Sequence, residues 1–81
     1  VAPRIVLRQA IIRDAAGIVI GHTHPSHDPT PSKEDVDITR RLIEAAKIIG
    51  IRVIDHVVCG RPSETTPGYV SLREKNLVAF E

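Results

Sequence analysis

The sequence is poor in aromatic residues: Tyr69 and Phe80 stand alone among 81, and tryptophan is absent. Any hydrophobic core must therefore be aliphatic, built from Ile, Val, Leu and Ala. The same scarcity removes the stacking platforms with which proteins grip single-stranded nucleic acids. A lone cysteine, Cys59, excludes an internal disulfide and fits a reducing compartment. Charge of neither sign dominates. The formal net charge is +1, so a nucleic-acid partner finds no support in a basic excess. No apolar run reaches the ~18 residues of a membrane span, and no signal peptide is visible. The expectation is a cytoplasmic protein with no membrane partner.

What is present is the balance of a folded chain, with 42% hydrophobic and 26% charged residues. The length suits one small domain that buries a modest share of its surface. No repeat, linker or low-complexity segment divides it. Pro3 suits the first turn of a helix, where a missing N–H costs nothing. Val6, Leu7, Ala10 and Ile11 follow at helical spacing, with Arg4, Arg8 and Arg13 facing mostly outward and Gly17 lying beyond the helix end. Ile18-Val19-Ile20 has no polar alternation and reads as a strand buried on both faces. A second helix spans roughly Lys33 to Ile49, with an apolar stripe of Val36, Thr39, Leu42, Ile43, Ala46 and Ile49. Asp37 and Arg41 offer an i,i+4 pair on its wet side, and Gly50 is placed to end it. Arg52–Cys59 reads as a strand, Arg61–Gly68 as a loop and Tyr69–Leu72 as a last short strand. Helix–strand–helix–strand–strand predicts an α/β (α+β) layer with a small mixed sheet, in which the first crossover has the length of a parallel βαβ unit.

The chemistry concentrates in one stretch, GHTHPSHDPTPSKED, residues 21–35. Three of the four histidines lie here, directly after the apolar strand. In extended chain His22 and His24 point to the same side and can converge on one point. Pro25 ends strand pairing and turns the chain, and Asp28 before Pro29 suits an Asx-turn. Asp35 falls in the first turn of the long helix. Two imidazoles and a carboxylate with an open fourth position suit a catalytic zinc site. Ser32 and Asp35 also fit a capping box at the helix start. Further along, Asp55-His56 sits inside an apolar strand and must be hydrogen-bonded if buried. Cys59 is expected to pack as a small apolar group.

The arrangement His22-Thr23-His24-Pro25, then Ser32 and Asp35, resembles the JAMM (MPN+) metalloprotease signature, H-x-H-P followed by S-x-x-D. With TRRLIEAAKIIGIRVIDHVV and YVSLREKNL added, the whole chain resembles the RadC-like bacterial family, historically linked to DNA repair. The resemblance implies a JAMM domain, a mixed sheet with flanking helices laid out like the zinc cytidine deaminases. It implies that His22, His24 and Asp35 ligate zinc and that Ser32 stabilises the oxyanion while also capping the helix. The implied reaction is metal-assisted attack of water on an amide or isopeptide carbonyl of a protein or peptide substrate. A glutamate general base on a strand upstream of the H-x-H-P segment is implied as well. Only Val1 and Ala2 precede the first helix, and Glu34, Glu44, Glu64, Glu74 and Glu81 all lie downstream. The expectation is therefore a domain, residues 1–81, without its N-terminal strands. His27 stands where relatives usually carry Gly, as a surface loop residue or as a group reaching the metal.

Two other readings compete. His22, His24 and His27 fit the H-x-H-x-D-H pattern of metallo-β-lactamase-like hydrolases, except that Ser26 replaces the required Asp. Alternatively, the chain is a non-catalytic JAMM-like module that binds a protein or DNA.

Overall fold

The computed structural model describes residues 2–80; Val1 and Glu81, both named above, lie outside them. Helix α1 covers Pro3–Ile12, strand β1 Gly17–Thr23, helix α2 Lys33–Ile48, strand β2 Arg52–Cys59 and strand β3 Tyr69–Ser71. The sheet order is β1-β2-β3, with β1 and β2 parallel and β2 and β3 antiparallel. This is the mixed α/β layer expected from the sequence, built around one parallel β–α–β unit. No helix of the described residues is long and apolar enough to cross a membrane.

Local chemistry sets the helix limits. Pro3 opens α1 at a position that needs no N–H. The helix stops at Ile12 because Asp14 takes a left-handed conformation (φ 52°). There the Asp14 N–H donates to Ile11 O and the Ala15 N–H to Ala10 O, the paired bonds of a Schellman ending. Gly17 is the first residue of β1. At the end of α2 the same motif recurs with glycine: Gly50 has φ 78°, its N–H donates to Lys47 O, and the Ile51 N–H donates to Ala46 O. Ile49 falls in this ending, so the apolar stripe stops at Ala46 and Ile49 is 46% exposed. The surface pair on α2 is Asp37 with Arg40 at 3.9 Å, one residue short of the i,i+4 partner Arg41. Both side chains are well exposed, so the pair contributes little stability.

The core is aliphatic. Leu7 and Ala10 of α1, Ile20 of β1, Leu42 and Ala46 of α2, Ile51 and Val53 form one buried cluster. Val58, Leu72 and Val78 form a second, against Val36, Ile43 and Phe80. β1 is not buried on both faces. Ile20 faces the helices, but Val19 is 59% exposed on the other side, because both helices contribute to the cluster that Ile20 joins. Leu72, expected inside the last strand, follows β3 and is fully buried.

One irregularity in β2 decides what faces the helices. The register runs Ile18 against Val53 and then Val19 against Asp55, so Ile54 is an extra residue in the ladder. Strict alternation would send Val53 and His56 to opposite faces. The bulge lets both be buried, at 4% and 0% exposure, while Ile54 stays outside. A histidine is thereby carried into the interior beside α2.

Candidate metal centre

Strand β1 ends in His22 and Thr23, and His24 follows before the chain turns at Pro25. The turn closes through the His27 N–H to His24 O (3.0 Å). His27 holds a left-handed φ of 62°, the conformation that favours glycine at this position. Its side chain is exposed, and it is not part of the donor cluster described below. The loop continues through an Asx-turn in which the Thr30 N–H donates to Asp28 Oδ1 (2.9 Å). That bond and the Thr30 side chain hold the Asp28 carboxyl below its usual range.

The start of α2 is a full capping box. The Asp35 N–H donates to Ser32 Oγ (3.1 Å) and the Ser32 N–H donates to Asp35 Oδ2 (2.7 Å). Ser32 is exposed, and its hydroxyl proton is still available to a further acceptor. Ser32→Ala should cost about 1 kcal/mol of stability in denaturant unfolding. Burial alone would raise the Asp35 carboxyl. The hydrogen bonds from Ser32, with His24 and His22 alongside, outweigh it and hold the group below the ordinary carboxylate value. The stability from these contacts is present above the unfolded carboxylate pKa and is lost as pH falls through the lowered value.

These two segments meet. His22 Nε2 lies 3.2 Å from Asp35 Oδ1, and His24 Nε2 lies 2.9 Å from Asp35 Oδ2. One donor atom from each of the three residues falls within 4.8 Å of the others, so the group can hold a metal ion. The side chains keep 14–20% of their surface, which leaves one side open to solvent. Donor chemistry tests the fit. His24 Nδ1 is 2.9 Å from the backbone carbonyl of Asp28. A carbonyl only accepts, so Nδ1 carries the hydrogen and Nε2 presents a lone pair in the neutral ring. That lone pair points at a carboxylate oxygen. Two acceptors in this position repel unless a proton or a metal cation lies between them, and an N, N, O set of this kind fits a metal with an open position.

Behind the donors lies a buried polar chain that the sequence did not reveal. His22 Nδ1 is 2.7 Å from His56 Nε2. His56 Nδ1 is 2.6 Å from Thr39 Oγ1, and the Thr39 hydroxyl donates to Asp35 O (2.6 Å). His56 and Thr39 have no exposed surface. Burial and the neighbouring His22 push His56 below the usual histidine range, against the opposite pull of Asp35 and Asp55. Asp55, its neighbour in sequence, points elsewhere: its carboxylate accepts from the His56 and Arg73 N–H groups and from the Ser71 hydroxyl. The Asp55-His56 dipeptide is thus two separate hydrogen-bonding sites on two faces of β2. The available sequence signal was a polar residue, Thr39, in the apolar stripe of α2, opposite a polar residue in an apolar strand.

Fold and site together define a class: a small α/β domain whose β–α–β unit joins an H-x-H-P strand end to the capped start of the next helix. A family model for the RadC-like JAB domain matches residues 1–77. The chain belongs to that family. It is 50% identical over 78 residues to a UPF0758 protein of Symbiobacterium thermophilum, covering 96% of this chain and 31% of that protein. A UPF0758 protein of Caldanaerobacter subterraneus subsp. tengcongensis is 49% identical over 81 residues, all of this chain and 33% of its own length. The chain spans about a third of the length of the curated relatives it matches.

Proposed function

We propose that this domain is the metal-binding part of a zinc-dependent hydrolase of the JAMM type, a metallopeptidase or isopeptidase. The observation that supports the reading above all is the convergence of His22 Nε2, His24 Nε2 and the Asp35 carboxylate, with the His24 lone pair aimed into the gap. His22, His24 and Asp35 bind the ion, and the open side of the cluster admits substrate and water. A zinc ion held by these three residues would supply Lewis acidity and lower the pKa of a water molecule toward neutrality. The Ser32 hydroxyl, with one lone pair engaged by the helix cap, donates its proton to the developing oxyanion. A cleft of about 500 Å3 between residues 28–30 and residues 65–75 adjoins the loop that carries His24.

The general base is not in this cluster: among the described residues no glutamate joins the three donors. That observation favours a second reading, a JAMM-like module that binds a protein or DNA partner without turnover, with or without metal. Full-length protein decides between them. It should carry about one zinc per chain and cleave a peptide or isopeptide substrate, with turnover lost on chelation and recovered on adding zinc. Zinc uptake without turnover would favour the module. No metal uptake at all would overturn the hydrolase and leave a module that binds its partner without metal.

A further inference from the structure

We propose that Thr39 and His56 are positioning residues that fix the tautomer of His22, so that its Nε2 lone pair is presented to the metal. The proposal rests on the reading that His22, His24 and Asp35 bind zinc. It follows from tracing hydrogens along the buried chain. Asp35 O is a carbonyl and can only accept, so the 2.6 Å contact uses the Thr39 hydroxyl proton. Thr39 Oγ1, having given its only proton, must accept from His56 Nδ1 across 2.6 Å. His56 Nδ1 therefore carries the hydrogen. His56 has no exposed surface, and no carboxylate is among the hydrogen-bond partners of its ring; burying a charged ring without such a partner is costly. It is a neutral ring with a bare Nε2. The 2.7 Å contact to His22 Nδ1 then takes its hydrogen from His22. His22 is left with a bare Nε2, the atom 3.2 Å from Asp35 Oδ1.

Each ligand imidazole is thus set by the bond its other nitrogen makes, as metal-binding histidines generally are. The two are set in different ways. His24 is oriented by a loop carbonyl, a local contact four residues away. His22 is oriented through side chains of two other elements, 17 and 34 residues apart in sequence. The path begins on the main chain of Asp35 and ends on His22, so it couples the helix that carries one ligand to the strand that carries another. This explains why a threonine occupies a fully buried position in the apolar stripe of α2. Valine would fill the same space, but it would break the chain and leave the His56 Nδ1–H without an acceptor.

The test reads the tautomer directly in the full-length, metal-free protein labelled with 15N-histidine. His22 signals are assigned by their loss in His22→Gln. The expected result is a hydrogen on Nδ1 of His22, whether or not Nε2, which faces Asp35, carries a second one. Thr39→Val should abolish that preference. Zinc affinity, measured by competition with a chromophoric chelator, should fall about 10–100-fold in Thr39→Val and return to within a few-fold in Thr39→Ser. A His22 ring in the wild type with a bare Nδ1 and its only hydrogen on Nε2 would overturn the proposal. So would a Thr39→Val protein that loses thermal stability but keeps wild-type zinc affinity. If the wild type takes up no zinc, the proposed function fails, while the tautomer of the metal-free protein still decides the positioning role.

Discussion

Asp35→Ala and His24→Ala should each abolish the proposed zinc binding. The loss should exceed the roughly 10–100-fold that follows removal of an outer partner, because a ligand itself is gone. Two remaining donors cannot complete the set that zinc prefers. Alanine at position 35 also removes half of the capping box, so a folding defect would confuse the result. Asp35→Asn separates the two effects. Its side-chain oxygen can still accept from the Ser32 N–H, so stability should change by less than about 1 kcal/mol. Its amide is a poor substitute for the charged ligand, so zinc affinity should fall steeply. His27→Ala supplies the opposite control. Its side chain is exposed and outside the donor cluster, so zinc affinity should not change. Loss of zinc in His27→Ala but not in Asp35→Asn would reverse the ligand assignment and favour the metallo-β-lactamase-like pattern.

Gly60→Ala should destabilise the protein by about 3 kcal/mol, the upper end of the cost of overpacking. A Cβ at Gly60 would lie 2.2 Å from His27 O and 2.8 Å from Pro29 N and Cδ. These atoms belong to main chain and a proline ring, so no side-chain rotation relieves the clash. The loop carrying His27 rests on the end of β2 here, through the Arg61 N–H to His27 O (2.8 Å). Pushing it away shifts Asp28, whose carbonyl orients His24. Zinc affinity should therefore fall together with stability. Gly21→Ala is the matched control. Its Cβ would meet only Val57 O, at 3.9 Å, and denaturant unfolding should show little change. Equal stability of the two variants would contradict this account of the loop.

Local features were legible because their bonds span only a few residues. The capping box of Ser32 and Asp35 closes over three residues, the Asx-turn of Asp28 over two, and the ending of α2 at Gly50 within one turn. Pro3 and the stripe through Leu42 and Ala46 likewise mark their helices. The end of α1 was less clear, because Asp14 rather than a glycine takes the left-handed position. The meeting of His22, His24 and Asp35 was foreseeable because a β–α turn of this length returns the helix start to the strand end. The exposure of Val19 was not, because an apolar run does not reveal how many faces of its sheet are covered.

By itself the sequence determined the order of elements, the helix starts, the end of α2 and the residues of the candidate metal site. Each depends on hydrophobic spacing or on backbone bonds made within a turn or two. Only the tertiary structure decided that His56 points inward to Thr39 and His22. That outcome turns on the bulge at Ile54. Side chains alternate along a strand, so one extra residue moves everything beyond it to the other face. No short-range pattern records such a shift, because it is set by pairing between strands more than thirty residues apart.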